Sequence, residues 1–203
     1  MNYSSLVKAI NAVTTQLQSR AAAAVNQALV LRNWLVGAYI VEYEQAGKDR
    51  AKYGTKLLEK LATDLKARGV IGLHERMLRN CRLAYLTYPQ IRRSLTAEFE
   101  GRLPTLLPEP PIRLSLTAEL KKDTAQPTLL PPRDVLQFSW TKLVELLAID
   151  DPWKRAFFEN ECLKANWSVR QLQRQIGSLL YERTGLSTNK KAVIERARRQ
   201  EPQ

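Results

Sequence analysis

Histidine, cysteine and glycine are scarce in this sequence, and each scarcity removes a class of chemistry. One histidine, His74, and two cysteines, Cys81 and Cys162, stand among 203 residues. Without clustered His and Cys ligands, a zinc site of the usual kind has nothing to build it; no metal and no cofactor are expected. Two cysteines make no disulfide framework. Both lie in apolar helical patterns and read as small buried hydrophobes of a protein kept in a reducing compartment. Glycine numbers 8, and none falls in a phosphate-binding loop or a G-x-S-x-G elbow. No apolar run is long enough to cross a bilayer, and the N-terminus lacks the basic-then-apolar order of a signal peptide. The expectation is a cytoplasmic protein with no membrane segment. Acidic residues are also in deficit, with 20 Asp and Glu against 32 Lys and Arg and a formal net charge of +12. Such a surplus creates a positive field whose natural partners are polyanions, nucleic acid above all. An anionic membrane surface is a weaker competitor.

What is present is helical periodicity, so the expected fold class is all-α. Residues 4–18 place Leu6, Val7, Ile10, Val13 and Leu17 at three- and four-residue steps. Residues 21–45 read as a second helix with Val25, Leu29, Val36, Tyr39, Ile40 and Tyr43 on one stripe, stopping near Gly47. A third runs over 53–68 with Leu57, Leu58, Leu61 and Leu65 on one face, and a fourth over 73–85 with Met77, Leu78, Cys81 and Ala84 inside. Pro89 ends this run. Residues 89–138 hold most of the 10 prolines and a short duplication. Ser94-Leu95-Thr96-Ala97-Glu98 recurs as Ser115-Leu116-Thr117-Ala118-Glu119, and Pro104-Thr105-Leu106-Leu107-Pro108 as Pro127-Thr128-Leu129-Leu130-Pro131. That composition predicts a connector. The expected organisation is therefore an N-terminal helical region over 1–88, a Pro-rich duplicated linker over 89–138, a C-terminal helical region over 139–185, and a basic tail over 186–203.

In the C-terminal region, Asp150-Asp151-Pro152 signals a helix start, with an acidic cap before proline. Trp153, Ala156, Phe157, Cys162 and Leu163 follow, then a turn at Asn166-Trp167-Ser168. Ser168 is positioned to cap a helix over 169–182 that buries Val169, Leu172, Ile176, Leu179 and Leu180.

No complete catalytic constellation is legible. Glu119-Leu120-Lys121 has the E-x-K spacing of metal-dependent nucleases, but it sits in the Pro-rich repeat without a rigid scaffold. His74 reads as a helix-surface residue, and Asp150 and Asp151 as capping groups. Two helix–turn–helix arrangements stand out instead. The first exposes His74, Arg76, Arg79, Asn80 and Arg82 on the helix over 73–85. The second exposes Arg170, Gln171, Arg174 and Gln175 opposite an apolar stripe. Arg and Gln hold phosphates and read base edges, and helix N-termini favour phosphate. An ordinary helical hairpin with a solvated basic face is the competing reading. Lys190, Lys191, Arg198 and Arg199 in the tail would add unspecific attraction to phosphate.

Several of these segments are similar to one known family. They are Phe138-Ser139-Trp140 through Leu147, Ile149-Asp150-Asp151-Pro152, and Asn166-Trp167-Ser168-Val169-Arg170-Gln171-Leu172-Gln173-Arg174-Gln175-Ile176 through Arg183, with Tyr53-Gly54 and Tyr85-Leu86-Thr87-Tyr88-Pro89 upstream. The chain resembles the N-terminal domain of the YhcG-type family over most of residues 20–185. That resemblance implies a bacterial protein in which a helical N-terminal domain, binding DNA or mediating assembly, precedes a nuclease domain of the PD-(D/E)XK superfamily. It also implies that Gln200-Glu201-Pro202-Gln203 stands at the interdomain junction, with the nuclease half absent from this chain. The turn Val70-Ile71-Gly72-Leu73 is more apolar than the family pattern, and the duplicated insert is longer. The function expected is a non-catalytic DNA-binding and targeting domain. The alternative is a module that dimerises or docks a partner through the long helix over 21–45.

Overall fold

The structure, a computed structural model, describes residues 2–45, 56–92 and 127–186. Among them are eight helices and no strand: α1 (Tyr3–Gln45), α2 (Leu57–Ala67), α3 (Glu75–Thr87), α4 (Pro132–Val135), α5 (Trp140–Leu147), α6 (Pro152–Ala165), α7 (Val169–Gly177) and α8 (Leu180–Leu186). The all-α expectation holds. The tail over 187–203, the E-x-K tripeptide and Gly47 lie outside the described residues.

The two N-terminal helices expected from periodicity are one helix of 43 residues. Nothing between residues 18 and 21 stops it. Ser19 and Arg20 are tolerated in a helix, four alanines follow, and no Gly or Pro intervenes before Gly37. Asn2 caps its start, accepting the Ser5 amide at 2.8 Å. The helix has two halves of different character. Val30, Leu31, Trp34, Ala38, Ile40 and Val41 are buried, whereas Leu6, Ile10, Val13, Leu17 and Val25 are exposed. Of the stripe expected over 21–45, Ile40 is buried and Val36 partly buried, whereas Val25, Leu29, Tyr39 and Tyr43 are exposed. The core instead takes the face carrying Trp34.

Helix α1 packs mainly against α3. Gly37 makes this possible: a Cβ there would land on the Cys81 carbonyl, so only glycine lets the backbones approach so closely. Trp34 donates its indole N–H to the Tyr88 carbonyl at 2.9 Å and lies 4.9 Å from the Tyr85 ring. The main core then draws in residues from both sides of the Pro-rich stretch. Ile91, Leu130, Val135, Leu136 and Phe138, all within the expected linker, join Trp34, Tyr88, Leu143, Phe158, Trp167 and Leu172 in one buried cluster. A smaller cluster of Ile40, Leu73 and Leu78 holds α2 through partly buried Leu58, Leu61 and Leu65.

A buried contact between two polar side chains also crosses the core. The Tyr88 hydroxyl donates to Glu159 Oε1 at 2.8 Å, joining groups 71 residues apart. Burial pushes the Glu159 carboxyl above its ordinary range, with the Tyr88 hydrogen bond and Arg155 opposing. Burial likewise raises the Tyr88 phenol well above its usual value, helped by the Glu159 charge. Cys81 and Cys162 are buried and free, as expected for small hydrophobes. Burial takes the Cys81 thiol up to about 12.

Candidate nucleic-acid interface

The two helical pairs read from the sequence are both formed, and they share a local grammar. Helix α2 ends in a Schellman arrangement: the Gly69 amide donates to the Lys66 carbonyl at 3.0 Å, and the Val70 amide to that of Leu65 at 2.9 Å. Gly69, at φ 81°, supplies the left-handed residue. Helix α6 ends the same way. The Asn166 and Trp167 amides donate to the Leu163 and Cys162 carbonyls, with Asn166 left-handed at φ 48°. Each following helix opens on a side-chain cap. His74 Nδ1 accepts the Met77 amide at 3.2 Å before α3, so His74 is exposed but serves as a cap.

The start of α7 is more tightly specified. Ser168 Oγ accepts the Gln171 amide at 3.3 Å, and Gln171 Oε1 accepts the Ser168 amide at 2.6 Å, a reciprocal capping box. Only residues 166–168 separate α6 from α7, whereas residues 68–74 separate α2 from α3. A three-residue turn is the length a helix–turn–helix uses. Asp151 caps α6 as the sequence suggested, accepting the Trp153 amide at 2.8 Å ahead of Pro152.

The α7 residues divide by role. Leu172 and Trp167 are buried in the main core and seat the helix. Arg170 and Arg174 are exposed. Gln171 is half-buried and occupied in the cap. Gln175, expected on the open face, is instead 5% exposed. Its backbone carbonyl and Oε1 accept from the Ser178 hydroxyl at 3.1 Å and 3.4 Å. Three residues after Leu172, it falls at the edge of the buried stripe. Gln173, which the sequence did not single out, is exposed and donates to Glu145 of α5 at 2.9 Å. The helix stops at Gly177, earlier than expected, because Leu179 turns left-handed at φ 55° and points outward. Leu180 then starts α8, which Lys154 of α6 secures through Glu182 at 2.6 Å.

On α3 the three arginines also part company. Arg76 is exposed and makes no ion pair among the described residues. Arg79 pairs with Glu75 one turn away. Arg82 reaches Glu44 of α1 at 2.7 Å and serves to tie α3 to α1. Helix α5 touches both α3 and α7. Lys190, Lys191, Arg198 and Arg199 lie outside the described residues. Among those residues, no group of three or more His, Cys, Asp or Glu side chains is placed to hold a metal ion. No described helix is long and apolar enough to cross a membrane.

Comparison with known proteins places these features in a family. Residues 9–106 and 115–183 match the DUF1016 N-terminal domain. The chain is 35% identical over 161 residues to the Escherichia coli K12 protein named "Putative nuclease YhcG". The match takes in 79% of this chain and 40% of that relative, so the chain spans well under half of the longer protein's length. No solved structure matches it. With both helical pairs and most of the core inside the matched segments, the chain belongs to the DUF1016 N-terminal domain family.

Proposed function

We propose that this chain is the DNA-binding and targeting part of a nuclease-type protein and does no bond cleavage itself. The observation that carries the reading is the α6–α7 pair. Its turn is three residues long, its second helix is anchored by Leu172 and opened by a capping box, and Arg170 and Arg174 stand on its exposed side. A positively charged helix held rigidly at its N-terminus is how such pairs enter the major groove. The net charge of +12 supplies the unspecific attraction. The relative with a nuclease name gives that binding a purpose, bringing a cutting domain to DNA in the bacterial cytoplasm.

In this reading Arg170 and Arg174 make the principal contacts. Gln171 and Gln175 hold the helix in place, Arg76 contributes from α3 with Arg79 and Arg82 minor because each is paired with a carboxylate, and the tail lysines and arginines add phosphate attraction. Fluorescence anisotropy with labelled duplex DNA at low salt tests it. Saturable binding without cleavage in the presence of Mg²⁺ is the expected result. No binding despite the positive charge, or cutting by this chain alone, contradicts it.

A further inference from the structure

Residues 3–26 of α1 are exposed and pack against none of the described residues, and their pattern fits a second copy of the same helix. Residues 2–29 extend about 40 Å beyond the core at the usual helical rise. Tyr3, Leu6, Ile10, Val13 and Leu17 on it are 82%, 40%, 58%, 55% and 58% exposed. They follow alternating steps of three and four residues, the spacing of a coiled-coil seam. The same count continues through Leu31, Trp34, Ala38 and Val41, all buried in the core. The register is thus common to the whole helix, with Arg20, Ala24 and Gln27 separating an exposed apolar stretch from a covered one. The half over 21–45, expected from sequence to dock a partner, has its seam occupied from residue 30 onward.

We infer that this arm pairs with the arm of a second copy, antiparallel, about a two-fold axis near residues 11 and 12. The order of apolar positions argues for a like partner, because the seam is self-complementary about its own midpoint, and with only Lys8 and Arg20 as charges the arm carries little repulsion to oppose it. The order of seam residues sets the direction. In a parallel pair Arg20 would face Arg20 inside the seam, a repulsive contact. In the antiparallel pair Leu6 meets Leu17 and Ile10 meets Val13 of the other copy. Arg20 meets Tyr3 at each end, where its charge stays in water and can lie against the ring. Covering the seam on both copies removes on the order of 1,000 Å² from solvent, the size at which specific interfaces begin. The inference is independent of DNA binding, so either can fail alone.

Sedimentation equilibrium of the full chain tests it. The expected mass rises with concentration from 23.2 kDa towards twice that value. The variant Ile10→Glu with Val13→Glu stays at the single mass while its near-ultraviolet circular dichroism, which reports Trp34 and Trp167, is unchanged. Direction is read by cysteine crosslinking under a mild oxidant, since Cys81 and Cys162 are buried. A Leu6→Cys chain mixed with a Leu17→Cys chain should give the mixed disulfide in preference to either self-pair. A single mass at every concentration, doubling that survives the two glutamates, or preferential Leu6→Cys self-pairing overturns the inference.

Discussion

The two helical pairs, α2–α3 and α6–α7, are built from the same capping devices and set in different surroundings. Helix α2 has no buried residue, and it borders an apolar groove of about 480 Å³ shared with α1. On α3, two of the three arginines are engaged with carboxylates. The α6–α7 pair is joined to the main core through Phe158, Cys162, Trp167 and Leu172, and Arg170 remains outside any ion pair among the described residues. A surface charge already neutralised by a neighbour has little left to offer a phosphate. Helical pattern and basic content are common to both pairs; what separates them is that Arg79 and Arg82 are paired with carboxylates while Arg170 is in no ion pair among the described residues.

The contrast can be strained from its structural side first. Gly37→Ala forces apart the α1 and α3 backbones at Cys81, and overpacking of this kind should cost about 3 kcal/mol in chemical denaturation. Leu172→Ala leaves a cavity under α7 and should cost roughly 3 kcal/mol. Leu61→Ala, on the loosely held α2, should cost about 1 kcal/mol or less. Equal losses at Leu172 and Leu61 would erase the distinction between the pairs.

The Tyr88–Glu159 contact sharpens the picture of the shared core. Tyr88→Phe leaves the buried carboxylate without its donor and should cost about 2 kcal/mol. Glu159 has a folded-state pKa raised above its value in the unfolded chain. Its contribution to stability is therefore complete below the unfolded value and declines as pH rises through the folded one. Glu159→Gln stays neutral and still accepts from Tyr88, so it should gain stability relative to the parent as pH rises above 4.5. Parallel stability-versus-pH curves for the two would refute the burial account. Smallest of all, Arg79→Ala should shift stability by less than about 0.5 kcal/mol, since its ion pair with Glu75 is exposed.

Much of this was legible in the sequence where the determinants are local. Asp151-Pro152 and Ser168 announced the α6 and α7 starts because a cap acts over three residues. The S-x-x-Q spacing at Ser168 and Gln171 was equally readable as a capping box, which would have moved Gln171 out of the contact set. Gln175 could have been placed by its three-residue offset from Leu172. Other features depend on distant partners. Periodicity shows that α1 has an apolar seam but not that only residues beyond 29 find a core to cover it. Glu159 looks like a surface carboxylate until Tyr88 is brought to it from 71 residues away. Pro-rich composition marked residues 89–138 as linker, yet Leu130, Val135 and Phe138 fill space that helices on both sides leave open.

The salt dependence of DNA binding for the parent chain and for Arg170→Ala with Arg174→Ala tests the central claim most directly. Each phosphate contact contributes a slope of about 0.9 in log K against log salt. The account predicts weaker binding and a slope shallower by nearly two units in the double variant, with little change for Arg79→Ala and Arg82→Ala together. An unchanged slope in the α7 variant, or a larger loss from the α3 pair, would contradict it.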